Sequence, residues 1–210
     1  SHDDERIRIF DTKKENELIV HLTEELPRHV EATFHAKVDE EKRAMTASNH
    51  SATHLLHAAL KEVLGDHVQQ KGSLVDDHHL RFDFSHFAKM EDEELRKVEK
   101  IVNTRIRQDI PLDEQRNVPY EEAIDMGATA LFGEKYGDTV RVITFDPEFS
   151  RELCGGTHVS STGKIGIFKV ISEASVSAGV RRIEAVCSAS AKSYYDDHVD
   201  ELKEIGRAHV

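Results

Sequence analysis

One stretch of the chain, from Asn49 to Leu64, has apolar residues at the spacing of an amphipathic helix. The stripe recurs at i, i+3, i+4 and i+7 and consists of Ala52, Leu55, Leu56, Ala59, Leu60, Val63 and Leu64. Ser48 or Asn49 supplies a side-chain oxygen for the N-cap, and Gly65 ends the helix. Because so wide an apolar face must cover another apolar surface, this segment predicts the centre of the core.

The flanking sequence predicts strands and further helices around this element. Leu80, Phe82 and Phe84 alternate with charged residues, as they do in a half-buried strand. Further strands are predicted at 7–10, 18–20, 32–38, 140–144, 165–171 and 180–186, and further helices at 92–109, at 120–126 and from Tyr194 onward. Because these elements follow no regular βαβ order, the sequence predicts an α+β fold, with a mixed or antiparallel sheet packed against helices.

The charge balance and the cysteine count exclude several classes of protein. The formal net charge of the 210 residues is −12, which argues against a broad nucleic-acid-coating surface but leaves room for a narrow basic cleft. Two cysteines cannot make a disulfide framework and are typical of a reducing cytosol, so we expect a cytoplasmic protein with Cys187 in its core. No apolar run approaches the roughly 18 residues of a membrane span, so no membrane partner is expected.

Two short pairs of residues have the spacing of metal ligands. His50 and His54 lie four positions apart in the predicted helix, so their side chains point the same way. Cys154 and His158 lie four positions apart in "SRELCGGTHVSSTG", where two glycines allow the backbone to curl tightly. Three imidazoles and one thiolate suit tetrahedral zinc, provided that the fold joins two segments about 100 positions apart.

Each of these residues also has an interpretation without a metal. His50 and His54 lie beside His57 and Lys61, opposite the apolar stripe, and this pattern is also typical of a polar, solvated helix face. Cys154 could be a small buried apolar residue, and the glycines after it a turn. Spacing alone does not decide between these interpretations.

Several longer motifs accompany the two pairs. "NHSATHLLHAAL", "QQKGSLV", "LRFDFSH", "ALFGEKYGD", "SRELCGGTHVSSTG" and "GVRRIEAV" occur in this order. Together they closely resemble the editing domain of alanyl-tRNA synthetase, which is also found in free-standing alanyl-tRNA editing proteins. The resemblance runs from about Asp39 to Ser190, with no departure at the four metal positions.

The resemblance implies a domain organisation. Residues 1–45 correspond to part of the N-terminal β-barrel of the family, and residues 46–190 to its zinc-dependent editing domain. Residues 191–210 correspond to the start of the helical segment that leads to the C-terminal domain. We therefore expect an excised fragment of the synthetase, since a free-standing editor would begin with a complete barrel and end without this helix.

The resemblance also implies an activity and the residues that carry it. Members of the family hydrolyse the ester between serine or glycine and the 3′ end of alanine tRNA, within an enzyme that uses ATP to attach alanine. Gln70 matches a position that lines the editing pocket, and Thr46 is a weaker candidate. The expected partners are the acceptor end of tRNA(Ala) and the rest of the synthetase chain. The candidate tRNA contacts, of which two or three are expected to be ordinary surface charges, are Lys71, Arg81, Lys135, Arg181 and Arg182.

The zinc ion has two candidate roles, and other hypotheses stay open. Since four protein ligands fill a tetrahedron, either one ligand is displaced so that zinc activates water, or zinc positions the ester while a separate water attacks; four good ligands favour positioning. A structural zinc module that only binds tRNA is the main alternative. A nucleophilic Cys154 with His158 as its base is disfavoured, because a metal ligand explains the thiolate equally well. A metalloprotease is disfavoured because H-S-A-T-H lacks the glutamate of H-E-x-x-H.

Overall fold

The computed structural model describes residues 5–16, 18–131 and 135–207, and the chain forms two compact units, Ser1–Asp39 and Glu40–Val210. The strands are β1 (Ile9–Glu15), β2 (Leu18–Thr23), β3 (Gln70–Val75), β4 (Leu80–Ser85), β5 (Asp113–Pro119), β6 (Thr139–Thr144), β7 (Arg151–Leu153), β8 (Phe168–Ser177) and β9 (Val180–Cys187). The helices are α1 (Glu40–Leu64), α2 (Asp92–Arg107), α3 (Tyr120–Asp125) and α4 (Ser188–Arg207), with a 3₁₀ turn at Thr162–Ile165. The predicted α+β class with antiparallel sheets is confirmed.

The first unit contains a two-stranded antiparallel sheet, β1–β2. The predicted strand at 32–38 is wrong, because these residues have irregular backbone. An alternating pattern forms a strand only where a neighbouring strand takes up its backbone hydrogen bonds, and no third strand pairs with this sheet among the described residues. Val30 and Val38 accordingly stay exposed. The assignment of residues 1–45 to a partial barrel stays a prediction.

The second unit is built on a four-stranded antiparallel sheet with the strand order β3-β4-β9-β8. Phe82 of β4 lies opposite Ile183 of β9, and both side chains are fully buried. Helices α1 and α2 contribute to the same core, and Leu55, Leu56 and Leu60 of α1 have no exposed surface. The apolar stripe of the sequence is therefore the centre of this core.

Helix α1 is longer than the sequence predicts. It begins at Glu40 and not near Asn49, since Glu40 and Glu41 form its first turn, where the helix dipole stabilises negative charge. Asn49 is therefore buried within the helix, where its Nδ2 donates to the carbonyl of Asp76 at 2.9 Å. Ser48 also lies inside α1, where its Oγ donates to the carbonyl of Ala44 at 3.0 Å, so neither residue is the N-cap.

Other element boundaries also differ from the predictions. Helix α2 ends at Arg107, and α4 begins at Ser188, directly after β9 and before Tyr194. Strand β8 begins at Phe168, because Ile165 belongs to the 3₁₀ turn. Over the described ranges, none of the helices combines the length and apolar character that crossing a membrane requires.

A second, three-stranded sheet holds the segment that precedes Cys154. Its order is β5-β6-β7, and Val142 of β6 lies opposite Leu153 of β7. A small apolar cluster fixes this sheet against α3, and its buried members are Val118, Ala123, Ala128, Val140, Val142 and Leu153. The backbone N–H of Cys154 then donates to the carbonyl of Arg141 at 3.1 Å. The position of Cys154 is thus set by a sheet edge.

Candidate metal centre

Helix α1 and the loop after β7 bring four potential metal ligands together. His50 and His54 come from α1, whereas Cys154 and His158 come from the loop. Cys154 Sγ lies 3.4 Å from His50 Nε2, and His54 Nε2 lies 3.0 Å from His158 Nε2. One ligand atom from each of the four lies within 4.8 Å of the others. The two distant segments therefore meet, and the cluster could hold a metal ion.

The donor set and its spacing fit a zinc ion. At zinc distances of about 2.0–2.3 Å, the corners of a ligand tetrahedron lie about 3.3–3.6 Å apart, so small side-chain movements place all four atoms around one ion. His54 Nδ1 lies 2.6 Å from Glu152 Oε2, so a neutral His54 donates there and keeps a lone pair on Nε2. That lone pair faces His158 Nε2, an arrangement that is favourable only when a proton or a metal ion lies between them.

Glu152, which the sequence did not indicate, links two histidines of α1 beneath the cluster. Its carboxylate is buried and lies 2.6 Å from His54 Nδ1 and 2.8 Å from His57 Nδ1. Burial opposes ionisation, but the charge and hydrogen bonds of His54 and His57 outweigh it and hold the pKa of Glu152 well below its usual range. His57 is only 2% exposed, so this helix face is covered and not solvated.

The electrostatics of the cluster favour a positive charge between the ligands. Burial opposes ionisation of the Cys154 thiol, but hydrogen bonds with His158, His50 and His54 lower its pKa to about 3. Burial opposes protonation of His54, yet Glu152 and Cys154 raise its pKa to about 10. For His158, burial dominates and lowers the pKa, which keeps the imidazole neutral. Metal ions bind a thiolate and neutral imidazoles, so a bound ion would take the place of the proton on His54 Nε2.

The loop that carries Cys154 is held close to the helix. Arg141 Nη1 donates to the carbonyls of Cys154 and Gly156, and Arg141 Nε donates to Glu114 Oε1 at 3.0 Å. Gly156 lies directly against the His50 ring, so a Cβ at this position would overlap the imidazole. The loop therefore needs the absence of a side chain at Gly156, and Arg141 is a further positioning residue that sequence reasoning missed.

The two predicted pocket residues lie on different elements, Thr46 on α1 and Gln70 on β3. Thr46 is one turn before His50 on α1, and its Oγ1 donates to the carbonyl of Lys42 at 2.9 Å. Gln70 begins β3 and is half-buried. It lines a pocket of about 200 Å³ together with His57, whose Nδ1 contacts the same Glu152 carboxylate as His54 Nδ1. Their roles in substrate recognition stay predictions.

Two of the predicted tRNA-binding cations are held in ion pairs within the central sheet. Arg181 Nε and Nη2 donate to Glu173 at 2.5 and 2.7 Å, and Arg182 Nε and Nη2 donate to Asp83 at 2.6 and 2.8 Å. Arg81 lies beside the second pair, with its Nε 3.8 Å from Asp83. These arginines therefore stabilise cross-strand contacts, whatever else they bind.

The remaining predicted residues differ in exposure. Lys71 and Lys135 are exposed, and Lys71 Nζ donates to Gln69 Oε1 at 3.4 Å. Contact of these lysines with tRNA stays a prediction. Cys187 has no exposed surface, and burial raises the pKa of its thiol, as expected for a core residue without a chemical role.

Comparison with known proteins shows which proteins the sequence resembles. Residues 140–184 match the model of the threonyl and alanyl tRNA synthetase second additional domain. The chain is 61% identical over 202 residues to an alanine–tRNA ligase of Cytophaga hutchinsonii and 60% identical over 201 residues to one of Bacteroides fragilis. Both alignments cover 96% of this chain but 23% of the ligase, so the chain spans less than a quarter of these relatives. Over almost its whole length the chain therefore corresponds to one segment of these alanine–tRNA ligases, and residues 140–184 within it match the second additional domain.

Proposed function

We propose that this chain hydrolyses the ester that joins serine or glycine to tRNA(Ala), with Zn²⁺ held by His50, His54, Cys154 and His158. The observation that supports this is the convergence of three imidazoles and one thiol in a chain 61% identical to an alanine–tRNA ligase. In this proposal the chain acts as part of a ligase that attaches alanine to tRNA(Ala) with ATP. Its partners are the acceptor end of that tRNA and the rest of the ligase.

The side chains around the site have distinct parts in this chemistry. A zinc ion bound there would supply a positive charge that favours the negative charge developing on the ester in the transition state. Glu152 holds a proton on His54 Nδ1, which leaves the Nε2 lone pair for the metal. Because all four candidate ligands belong to the protein, none of their positions is reserved for water. We therefore infer that a separately bound water attacks the ester.

The need for a second site follows from the limits of pocket recognition. A pocket for alanine cannot strongly reject glycine or an analogue that only adds a hydroxyl, whereas a site that hydrogen-bonds the hydroxyl of serine rejects alanine strongly. The amide of Gln70 both donates and accepts, so it suits this hydroxyl. Thr46 already donates its hydroxyl proton to the Lys42 carbonyl, so its oxygen can only accept a hydrogen bond from the substrate.

A structural zinc site is the second candidate function. The observation that favours it is the closed set of four protein ligands, which is typical of zinc ions that only stabilise a fold. In that case the chain would bind tRNA without hydrolysing its ester. Loss of structure on metal removal and an absence of hydrolysis would then occur together.

A deacylation assay with the full chain separates the two functions. We expect the zinc-loaded chain to release serine from Ser-tRNA(Ala) much faster than alanine from Ala-tRNA(Ala). Removal of the metal should abolish this release, and one equivalent of zinc should restore it. If the zinc-loaded chain binds tRNA but leaves the serine ester intact, the structural function is correct and the proposal is wrong.

The Glu152→Gln variant tests the support of the metal ligands. The amide has one acceptor oxygen, so its NH₂ group must face the N–H of either His54 or His57. We expect the zinc affinity of the metal-free chain to fall about 10–100-fold, since ligand-orienting partners typically contribute this much. Competition with a chromophoric chelator measures the affinity, and the Co²⁺ absorption spectrum reports the ligand geometry.

Two substitutions at His57 serve as a matched pair for this prediction. His57→Asn keeps an N–H donor near the Nδ1 position, whereas His57→Leu has a similar shape without a donor. We expect the asparagine variant to bind zinc more tightly than the leucine variant. Equal affinities in this pair, with a Glu152→Gln affinity unchanged from the parent chain, would show that Glu152 does not orient His54.

A further inference from the structure

Two histidines outside the metal cluster have ring nitrogens that face each other. His67 lies in the connection between α1 and β3, and His86 directly follows β4. His67 Nε2 lies 2.9 Å from His86 Nδ1, and the two rings are stacked with their centroids 5.2 Å apart. Ring nitrogens approach this closely only when a proton or a metal ion lies between them, because two lone pairs or two N–H groups repel each other. The function proposed above uses neither histidine.

The backbone around this pair is held in place largely by one serine. Ser85 Oγ donates to the carbonyl of His67 at 2.7 Å and accepts from the N–H of Gln69 at 2.9 Å. The N–H of Ser85 donates to the carbonyl of Gln69, and the N–H of His86 donates to the carbonyl of Gly179, both at 3.0 Å. The two imidazoles therefore extend from fixed positions, which lowers the entropic cost of holding a ligand between them.

The separation of the two nitrogens fits adjacent positions around one metal ion. With metal–nitrogen distances of about 2.0–2.1 Å, two ligands at a right angle lie about 2.8–3.0 Å apart, whereas two ligands of a tetrahedral ion lie about 3.3–3.4 Å apart. The observed 2.9 Å therefore fits a square-planar or octahedral ion better than a tetrahedral one. His67 is exposed and His86 is half-buried, so small ring rotations can direct both lone pairs at a common point.

We propose that His67 and His86 form a second metal site, which binds Ni²⁺ or Cu²⁺ through His67 Nε2 and His86 Nδ1. The other nitrogen of each ring carries the proton, so both imidazoles bind as neutral ligands. Among the described residues, this pair belongs to no larger set of histidine, cysteine or carboxylate ligands, so water fills the remaining positions. Imidazole nitrogens with oxygen donors in a tetragonal arrangement are typical of these two ions.

A bound ion would join the end of β4 to the connection that leads into β3. Gln70, the first residue of β3, lies three positions after His67 and opposite Phe84 of β4. The ion would therefore stabilise the folded chain and fix the start of the strand that carries Gln70. This role does not depend on the proposed hydrolysis.

The test uses the zinc-loaded full chain, so that the four-residue cluster is already occupied. The chain is equilibrated with Ni²⁺, and metal analysis then gives the nickel and zinc bound per chain. We expect one nickel ion in addition to the zinc, and a Tm raised by about 5–10 °C at a free Ni²⁺ concentration about 100 times the dissociation constant. His67→Gln and His86→Gln should each lose both effects, since the two imidazoles hold the ion tightly only together.

A matched double variant controls for nickel that binds to other histidines. His78→Gln with His79→Gln removes two histidines from the turn between β3 and β4, and we expect it to bind nickel as the parent chain does. Absence of bound nickel in the parent chain would show that the pair shares only a proton and would overturn the proposal. Nickel that enters only by displacing zinc, or an equal loss in the control, would also overturn it. None of these measurements involves hydrolysis, so a failure of the proposed function is recognised separately.

Discussion

Replacing Gly156 by alanine is expected to remove zinc from the chain while the neighbouring Gly155→Ala variant retains it. A Cβ at Gly156 would overlap the ring of His50, whereas a Cβ at Gly155 meets no atom within 4 Å. The ring can move away at little cost to the fold, but this movement takes His50 Nε2 away from Cys154 Sγ, which lies 3.4 Å from it. The cluster then has three ligands in place of four.

The expected size of this effect follows from the energy of a complete zinc site. Apparent binding free energies of about 10–16 kcal/mol for four ligands correspond to about 2.5–4 kcal/mol per ligand, or roughly 10²–10³-fold in affinity. Metal analysis of the purified variants and a chelator competition titration measure this. If Gly156→Ala and Gly155→Ala bind zinc equally well, His50 does not require the contact with Gly156, and the described loop conformation is not the metal-binding one.

The contrast between these glycines shows what the sequence could predict and what it could not. The pair of glycines after Cys154 indicated a tightly curved loop, but the sequence assigned the same role to both. Only the fold shows that Gly156 faces His50 and that Gly155 faces open space. The four candidate ligands were recognisable because their i, i+4 spacing is local, whereas their supporting residues come from elsewhere in the chain.

Helix α1 is buried on two sides, which explains why the sequence alone left the environment of its histidine face open. A single amphipathic stripe predicts one buried face, and the histidine face was therefore open to interpretation as solvated. The loop after β7 covers that second face, so that His54 is 5% exposed and His57 is 2% exposed. No pattern in the sequence indicated a role for Glu152, because a single carboxylate near a cysteine is common. Its role depends on two hydrogen bonds that span 98 and 95 positions of sequence.

The ion-pair partners of the arginines were likewise not predictable from the sequence, because they depend on pairing between distant strands. Arg182 lies opposite Asp83 in the register of β9 and β4, which sequence separation hides. Strand β5 was missed because its sequence, DEQRNVP, is polar, and its position follows from pairing with β6. Strong local patterns were therefore sufficient for the class of the fold and for the ligand pairs. The side chains that support these ligands are determined by contacts between distant parts of the chain.

Cysteine reactivity is expected to differ sharply between the two thiols and to depend on zinc. Hydrogen bonds from the three histidines lower the pKa of Cys154 to about 3 despite its burial, and burial alone raises the pKa of Cys187. Because the Cys154 pKa is depressed, its thiolate persists as the pH falls from 8 to 5, whereas an ordinary thiol is partly ionised at pH 8 and almost fully protonated at pH 5. The metal-free chain should therefore react with iodoacetamide at pH 5 at Cys154, and Cys187 should stay unmodified.

Zinc should protect Cys154 from this reaction, and Cys154→Ala should bind zinc roughly 10²–10³-fold more weakly, as expected for the loss of one of four ligands. Cys187→Ala is the matched control, since it removes a thiol from the core and leaves the cluster intact. Peptide mass spectrometry locates the modified cysteine, and metal analysis gives the zinc content. A zinc-loaded chain that is alkylated at Cys154 as fast as the metal-free chain would show that the sulfur is not a ligand. A covalent seryl–enzyme intermediate at Cys154 would then become the leading hypothesis, because an unligated thiolate beside His158 has the groups of a nucleophile and its base.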